Sequence, residues 1–255
     1  MRCHGHILYI YGVRAIARSG VCFHLKTFRQ MKTSACLLIL LLAGFVAIAQ
    51  PGERRSEKAL QGAWQSDDGT MVFTGNFYTF TAFNAEDATF EGTHGGSWAA
   101  TNGELSFNYE FNTFDPDKCG NTGTEIFTVR GKKLRVGSRD FTRLDNGKPG
   151  ALEGAWLITG RQRGDEMSSI TPGDRKTMKI LSGTRFQWIA YNTATKQFMG
   201  TGGGSYTTKN GKYTETIEFF SRDSSRVGMA LGFNYELKDG QWHHSGKSSK
   251  GNPIY

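Results

Sequence analysis

The chain repeats itself, and this internal duplication constrains its fold more than any other feature of the sequence. The segment Leu60–Trp64 (LQGAW) recurs as Leu152–Trp156 (LEGAW), and Phe90–Trp98 recurs as Phe198–Tyr206. Further matches follow in the same order: Asn102-Gly103 with Asn210-Gly211, Tyr109–Phe111 with Ile217–Phe219, Gly131 with Gly240 and Gly137 with Gly246. We therefore predict two tandem copies, residues 58–146 and 150–255, joined by a turn-forming Asn-Gly-Lys-Pro-Gly segment.

Each copy has the sequence pattern of several short β-strands. Glu104–Phe111 alternates polar and apolar residues, which is typical of a strand with one face in water. Asn102-Gly103 just before it is a hairpin turn, and no window keeps a helical period. Frequent glycine (33 residues) and aromatics (13%) also favour antiparallel β-structure. A copy of ~90 residues accommodates roughly eight strands, so we predict an all-β fold with two tandem small antiparallel up-and-down β-barrels.

A secretory signal peptide precedes the repeats. Lys32 is followed by the apolar run Cys36–Ala49, which ends in the small-x-small sequence Ala-Ile-Ala. This pattern predicts a signal peptide at residues 31–49, cleaved between Ala49 and Gln50, and a secreted or periplasmic protein. The run is too short to cross a bilayer comfortably, so we expect no transmembrane segment in the mature chain. Residues 1–30 are interpreted as an upstream extension before the true start at Met31, or alternatively as a long n-region.

The positive charge of the chain belongs to its leader. The net charge is +8, but residues 1–49 hold six basic residues and no acidic one. The remaining chain is therefore nearly neutral, at +2. A nucleic-acid-binding protein needs a strong basic field, so we expect no nucleic-acid partner. Peripheral association with the cell envelope stays open.

The Leu-x-Gly-x-Trp opening of both copies resembles the lipocalin-like (calycin-type) domains of bacterial secreted proteins described only as membrane or secreted. The second copy carries more of the resemblance, in Phe186-x-Trp188, Gly200–Gly204, Tyr213–Glu215, Ile217–Phe219 and Trp242–Gly246. In lipocalins the tryptophan closes one barrel end, and an arginine from the last strand packs on it. The resemblance implies these structural roles for Trp64, Trp156 and Arg143. The second copy has no equivalent arginine before Tyr255, which leaves the closure of its barrel open.

The inward-facing residues of a barrel decide what it can hold. In the first copy they are all apolar or aromatic, which predicts either a filled core or a pocket for an apolar ligand. In the second copy three polar residues, Glu215, His243 and Ser245, align with Phe107, Leu134 and Val136. A buried carboxylate is costly unless it is paired or protonated, so these residues predict a ligand head group or a Glu–His pair. A register error of one residue would instead turn all three to solvent.

We predict that the second barrel binds a small apolar or amphipathic molecule. Its walls would be Phe186, Trp188, Tyr213, Ile217 and Tyr235, and the ligand would be oriented by Glu215, His243 and Ser245. Extra polar residues between Gly160 and Lys176 resemble the loop that covers the mouth of lipocalins, with a disordered insertion as the alternative. On this interpretation Glu215→Phe would stabilise the fold and abolish binding.

Two other functions stay open, a structural or interaction module of the cell envelope with filled barrels and, less favoured, an enzyme using Glu215 and His243. No nucleophile or oxyanion site accompanies that pair, so no catalytic residue is assigned. We expect no metal and no cofactor. His243 and His244 are adjacent on a strand and point to opposite faces, and Gly200–Gly204 lacks the Gly-Lys-Ser/Thr ending of a phosphate loop.

Overall fold

The structure, a computed structural model, describes residues 8–12, 51–163, 166–247, 251 and 253–254. The predicted signal peptide lies outside the described residues. The first half contains the elements β1 (Leu8–Gly12), α1 (Pro51–Leu60), β2 (Gly62–Ser66), β3 (Gly69–Phe73), β4 (Phe77–Asn84), β5 (Thr89–Thr101), β6 (Glu104–Asn112), β7 (Thr122–Arg130), β8 (Lys133–Val136) and β9 (Arg139–Asp145). The second half contains β10 (Gly154–Arg163), β11 (Glu166–Ser169), β12 (Arg175–Leu181), β13 (Arg185–Asn192), β14 (Phe198–Lys209), β15 (Lys212–Phe220), β16 (Ala230–Lys238), β17 (Gln241–Lys247) and β18 (Pro253–Ile254).

The first copy is a closed antiparallel barrel. Strands β2 to β9 follow one another around it, and β9 returns to pair with β2, where Arg143 lies opposite Trp64. The alternation of each strand turns one row of side chains inward, and these rows form an apolar core that includes Trp64, Met71, Tyr78 and Phe107. Because closure leaves no free edge, every strand finds two partners.

The second copy repeats this architecture with a different closing strand. Strands β10 and β12 to β17 form an antiparallel series, β11 pairs with β10 as a side hairpin, and β18 pairs with β17. The remaining gap between β10 and β17 is filled by β1, which comes from the segment interpreted as an upstream extension. The prediction of an all-β fold with two tandem antiparallel barrels is confirmed. No helix among the described residues is long and apolar enough to cross a bilayer.

The register of the repeat corrects two matches made from the sequence, that of Gly131 and that of Gly137, which aligns with Ser245 instead of Gly246. Strands β7 and β8 are joined after the pair Arg130–Lys133, and β16 and β17 after the pair Lys238–Gln241. Gly131 therefore corresponds to Asp239, not to Gly240, and both open their two-residue turns at positive φ, 60° and 51°. The inward residues of β17 that match Leu134 and Val136 are Trp242 and His244.

The two barrels pack against each other through the outer faces of β12 and β13. Apolar residues such as Val72 and Phe111 of the first barrel meet Ile180 and Ile189 of the second in one buried cluster. Gln187 lies inside this interface and bonds only to threonine hydroxyls. Its Oε1 accepts hydrogen bonds from Thr79 and Thr81 of the first barrel, and its Nε2 donates to Thr93 of the first barrel and Thr201 of the second. A buried amide is thereby satisfied at both ends, which fixes the relative position of the barrels.

Asp145, at the end of β9, ties the first barrel to the β12–β13 turn. Its carboxylate accepts hydrogen bonds from Gly147 N (2.8 Å), Ser182 Oγ (2.8 Å), Gly183 N (3.1 Å), and the N and Oγ1 of Thr184 (2.9 and 2.6 Å). Burial alone would raise the pKa of Asp145, but the hydrogen bonds from Thr184, Gly147, Ser182 and Gly183 outweigh it and hold the pKa below its usual value.

We expect Asp145→Ala to lower the free energy of unfolding by about 3 kcal/mol, because five donors lose a charged acceptor. The folded pKa lies below the unfolded one, so this stabilisation is present above pH 3.8 and is lost as the pH falls toward the folded pKa. Urea unfolding at pH 7 and at pH 3 measures both effects. The control is Asp140→Ala, on the same strand with an exposed side chain, which should change stability by less than about 0.5 kcal/mol. Equal losses in the two variants would contradict the role of Asp145.

Candidate functional site

The interior of the second barrel contains a buried ion pair. Lys179 on β12 is 9% exposed and Glu215 on β15 is 4% exposed, and the Lys179 ammonium contacts Oε1 of Glu215. The hydroxyl of Tyr213 donates a second hydrogen bond to the same oxygen, at 2.7 Å. Burial and then the Glu215 charge raise the pKa of Tyr213, so Tyr213 remains a hydrogen-bond donor. Glu215 therefore faces inward and is paired with a lysine that the sequence analysis did not single out.

Aromatic rings enclose the Lys179 ammonium on its other sides. Its Nζ lies 4.9 to 5.8 Å from the ring centroids of four residues, Tyr213, Phe233, Trp242 and Phe186. Ring faces attract a cation at such distances, and more strongly where water is excluded. The centre of the barrel is therefore occupied by the side chain of Lys179 itself.

His244 lies beside this pair and is almost fully buried. Its ring centroid is 4.4 Å from that of Phe233, 5.1 Å from that of Trp242 and 5.7 Å from that of Tyr213. Burial, and then the charge of Lys179, lower the pKa of His244 well below its ordinary value. His244 is therefore a neutral imidazole at neutral pH. Its Nδ1 and the Nε1 of Trp242 have no hydrogen-bond partner among the described residues.

The expectation that His243 and Ser245 face inward is wrong. His244 occupies the interior, while His243 and Ser245 are half-buried on the alternate face of β17. Asn234 donates to Ser245 Oγ at 3.5 Å in an exposed position. The alignment of the two copies slips by one residue in the turn before β17. Gly131 is the first residue of its two-residue turn, whereas Gly240 is the second residue of its turn. The enzyme hypothesis needed Glu215 and His243 together, and the structure places them on different faces of the sheet.

The remaining predicted wall residues divide between the two ends of the barrel. Phe186, Tyr213 and Ile217 belong to the buried interior, and Trp188 and Tyr235 pack against it with part of their surface exposed. The backbone N–H of Tyr235 donates to Gly211 O, which places Tyr235 at the end where the β14–β15 hairpin lies. Trp188 lies nearer the opposite end.

The two repeat tryptophans lie at the closed ends of their barrels. Trp64 Nε1 donates to Leu60 O at 2.7 Å, and Trp156 Nε1 donates to Leu152 O at 2.8 Å. The Arg143 guanidinium lies over the Trp64 ring, 3.8 Å from its centroid, and also donates to the carbonyl groups of Ala59 and Gln61. In the second barrel the Trp156 ring instead meets the edge of Trp242, with 5.7 Å between centroids.

A cavity of about 560 Å³ opens at the other end of the second barrel, beneath the β10–β11 hairpin. It lies above the ion pair, as the orientation of β12 shows. Lys176, Met178 and Ile180 on this strand face the first barrel. The alternate residues of this strand therefore face inward, and Thr177 lies one inward position above Lys179. The lining residues are Ile158, Arg161, Glu166, Met167, Ser168, Ile170, Arg175 and Thr177.

The cavity combines positive charge with apolar surface. No ion pair joins Arg161 or Arg175 to a carboxylate among the residues that the structure describes. The hairpin adds two apolar side chains that are unusually accessible, Met167 (47% exposed) and Ile170 (43% exposed). An anionic group can pair with the arginines here while an attached chain contacts the apolar residues.

The repeat itself contains a signal that Lys179 is buried, and the sequence analysis does not use it. Once Trp156 is matched with Trp64, their cross-strand partners Lys179 and Met71 match as well. A lysine at a core position of an apolar strand indicates a buried charge. The segment containing Arg161 was recognised as a cover for the mouth, but its arginines were not singled out.

Comparison with models of protein families, with curated proteins and with solved structures found no match for this chain. Among the described residues, no group of three or more His, Cys, Asp and Glu side chains is arranged to hold a metal ion. The chemistry of the site is therefore argued from its geometry alone.

We expect Glu215→Phe to destabilise the protein, which reverses the expectation from the sequence. The variant leaves the Lys179 ammonium buried without its carboxylate, at a cost of about 3–5 kcal/mol. The double variant Lys179→Met, Glu215→Phe copies Met71 and Phe107 of the first barrel and should recover most of this loss. Chemical denaturation of the wild type, both single variants and the double variant measures the coupling. A Glu215→Phe variant as stable as the double variant would show that the pair contributes nothing.

The buried His244 and the largely enclosed His94 predict a loss of stability in mild acid. Burial, followed by the charges of Arg139 and Lys118, lowers the pKa of His94 from 6.5 to about 3, and the pKa of His244 is also lowered. Below pH 6.5 the unfolded chain binds protons that the folded protein does not, so each histidine lowers stability by up to about 1.4 kcal/mol per pH unit. The variant His244→Val, which copies Val136, should reduce the slope between pH 7 and pH 5. An unchanged slope in urea unfolding would contradict this assignment.

Proposed function

We propose that the protein is a secreted or periplasmic carrier of the lipocalin-like type, whose second barrel binds a small amphipathic molecule with an anionic head group. The single observation that carries the proposal is the cavity of about 560 Å³ at the barrel mouth. It is lined by apolar Ile158, Met167 and Ile170 and by two arginines, Arg161 and Arg175, that form no ion pair with a carboxylate of the described residues. Its size falls in the ordinary range of small-molecule sites, about 300–1,000 Å³.

The ligand would lie at the mouth and not along the whole barrel axis. Below Thr177 the interior is occupied by the Lys179–Glu215 pair and its aromatic rings. Half-buried apolar residues surround the upper interior, among them Trp188 and Leu231, and these would contact the apolar part of the ligand. The proposed site excludes Tyr235, which lies at the end with the β14–β15 hairpin, and also His243 and Ser245, which lie on the alternate face of β17.

The filled-barrel module is the second candidate function. The packing of the interior supports it, since the cores of both barrels are built from large buried side chains. The two candidates differ in what they require of the mouth. A carrier needs the arginines to face a ligand, whereas a structural module leaves them as solvated surface charges.

We expect decanoate to bind with a stoichiometry of one, measured by isothermal titration calorimetry below its micelle concentration. Decylamine, with the same chain and the opposite charge, should bind at least tenfold more weakly, because the cavity carries two arginines against one glutamate. Arg161→Ala and Arg175→Ala should each weaken decanoate binding by about tenfold, the loss of one charge-assisted contact.

The matched control is Arg130→Ala, an exposed arginine on β7 of the first barrel, which should leave the affinity unchanged. Saturable binding that is equal in all three variants would reject the arginines as the head-group site. Absence of saturable binding for both decanoate and decylamine would favour the filled-barrel module.

A further inference from the structure

Strand β17 carries two polar nitrogen atoms into the interior of the second barrel, and neither has a hydrogen-bond partner. Trp242 is 0% exposed and His244 is 1% exposed. The Nε1 of Trp242 and the Nδ1 of His244 form no hydrogen bond with any residue that the structure describes. Buried polar atoms are paired in the great majority of cases, because an unpaired one loses its hydration without compensation. Both atoms therefore require a further partner.

The two nitrogen atoms belong to neighbouring rings. The centroids of the Trp242 and His244 rings are 5.1 Å apart, and the ring planes cross at 81°. Both rings also meet the ring of Tyr213, with 5.2 and 5.7 Å between centroids. An oxygen atom that makes two hydrogen bonds of ordinary length joins nitrogen atoms up to about 6 Å apart. One small molecule can therefore be the partner of both rings.

The first barrel has apolar residues throughout the corresponding region. Four residues with polar side-chain atoms replace four apolar ones in the same register: Lys179, Glu215, Trp242 and His244 in place of Met71, Phe107, Leu134 and Val136. The first two members of the polar set pair with each other. The other two are the residues with unpartnered nitrogen atoms, so the polar set is complete only with an additional molecule.

Charge and size restrict what this molecule can be. The indole N–H of Trp242 is a donor only, so its partner must be an acceptor, which excludes a cation. The charge of Lys179 is already balanced by Glu215, and an anion would add an uncompensated charge to a buried interior. Large buried side chains fill the surroundings. The partner is therefore a small neutral molecule that can both accept and donate hydrogen bonds.

We propose that the interior of the second barrel binds one water molecule between Trp242 and His244. The water accepts a hydrogen bond from the Nε1–H of Trp242 and donates one to the Nδ1 of His244. Buried waters commonly satisfy polar groups that the chain itself leaves unpaired. This arrangement also assigns the ring proton of the neutral His244 to Nε2. The site lies below Thr177, in the interior, and does not depend on the ligand proposed for the mouth cavity.

The first experiment is nuclear magnetic resonance of the full chain labelled with nitrogen-15. In rotating-frame spectra, a dipolar contact with water and proton exchange with water give cross-peaks of opposite sign. We expect the indole Hε1 of Trp242 to show a dipolar cross-peak with water. The internal controls are three indoles that donate to backbone carbonyl groups at 2.7, 3.0 and 2.8 Å, those of Trp64, Trp98 and Trp156. No such cross-peak at Trp242, or equal ones at all four indoles, would overturn the proposal.

Two variants test His244 as the second partner of the water. His244→Val, which copies Val136, removes the acceptor and should abolish the water cross-peak of Trp242. Ser245→Ala changes the next residue, on the alternate face of β17, and should leave the cross-peak unchanged. A cross-peak that persists at full intensity in His244→Val would contradict a bridge between the two rings.

A third measurement needs no substitution. Long-range correlation spectra between ring hydrogens and nitrogen-15 distinguish the protonated nitrogen of a histidine from the unprotonated one. We expect Nε2 of His244 to carry the proton at pH 7 and Nδ1 to be the acceptor. A proton on Nδ1 would overturn the assignment of water, because His244 and Trp242 would then both be donors, as an anion such as chloride requires.

Discussion

A single buried charge determines how the interior of the second barrel is arranged. The Lys179 ammonium cannot lie in an apolar core without compensation, and the structure compensates it with the Glu215 carboxylate and with aromatic faces. Tyr213 completes the group by donating to the same carboxylate oxygen. Each of these three side chains is an ion-pair or hydrogen-bond partner of another. The loss of one therefore leaves a buried charge or donor without a partner in an apolar environment. Burial, and then the same charge, lower the pKa of His244 and keep it neutral.

The two barrels show that the same backbone framework can enclose an apolar pair of residues in one copy and an ion pair in the other. Met71 and Phe107 stand in the first barrel where Lys179 and Glu215 stand in the second, on strands with the same register. Strand alternation and closure fix which positions face inward, but they do not fix the chemistry of the side chains there. The first barrel also has polar groups in its interior, since His94 Nδ1 lies 3.0 Å from the hydroxyl of Tyr78.

The sequence was sufficient for features that depend on short-range patterns. The alternation in Glu104–Phe111 and the repeated Gly-x-Trp predicted strands, barrels and the tandem copies. It was insufficient where a single turn residue sets the register, because Gly131 and Gly240 look equivalent while occupying different turn positions. A one-residue slip then replaced His244 with His243. The pairing of β1 was also inaccessible, since contacts between segments so distant along the chain leave no local periodicity.

Closure of the second barrel connects the candidate cavity with strand β1. Arg161 lines the cavity with its side chain, while its backbone lies opposite Leu8 of β1. Trp242 and Trp156 contact each other inside the barrel, and their backbones lie opposite Ile10 and Gly12 of β1. Strand β1 therefore holds the backbones of β10 and β17, the two strands that bring Arg161 to the mouth and His244 to the core. The order of the interior in the second barrel depends on this closing strand, as that of the first barrel depends on β9.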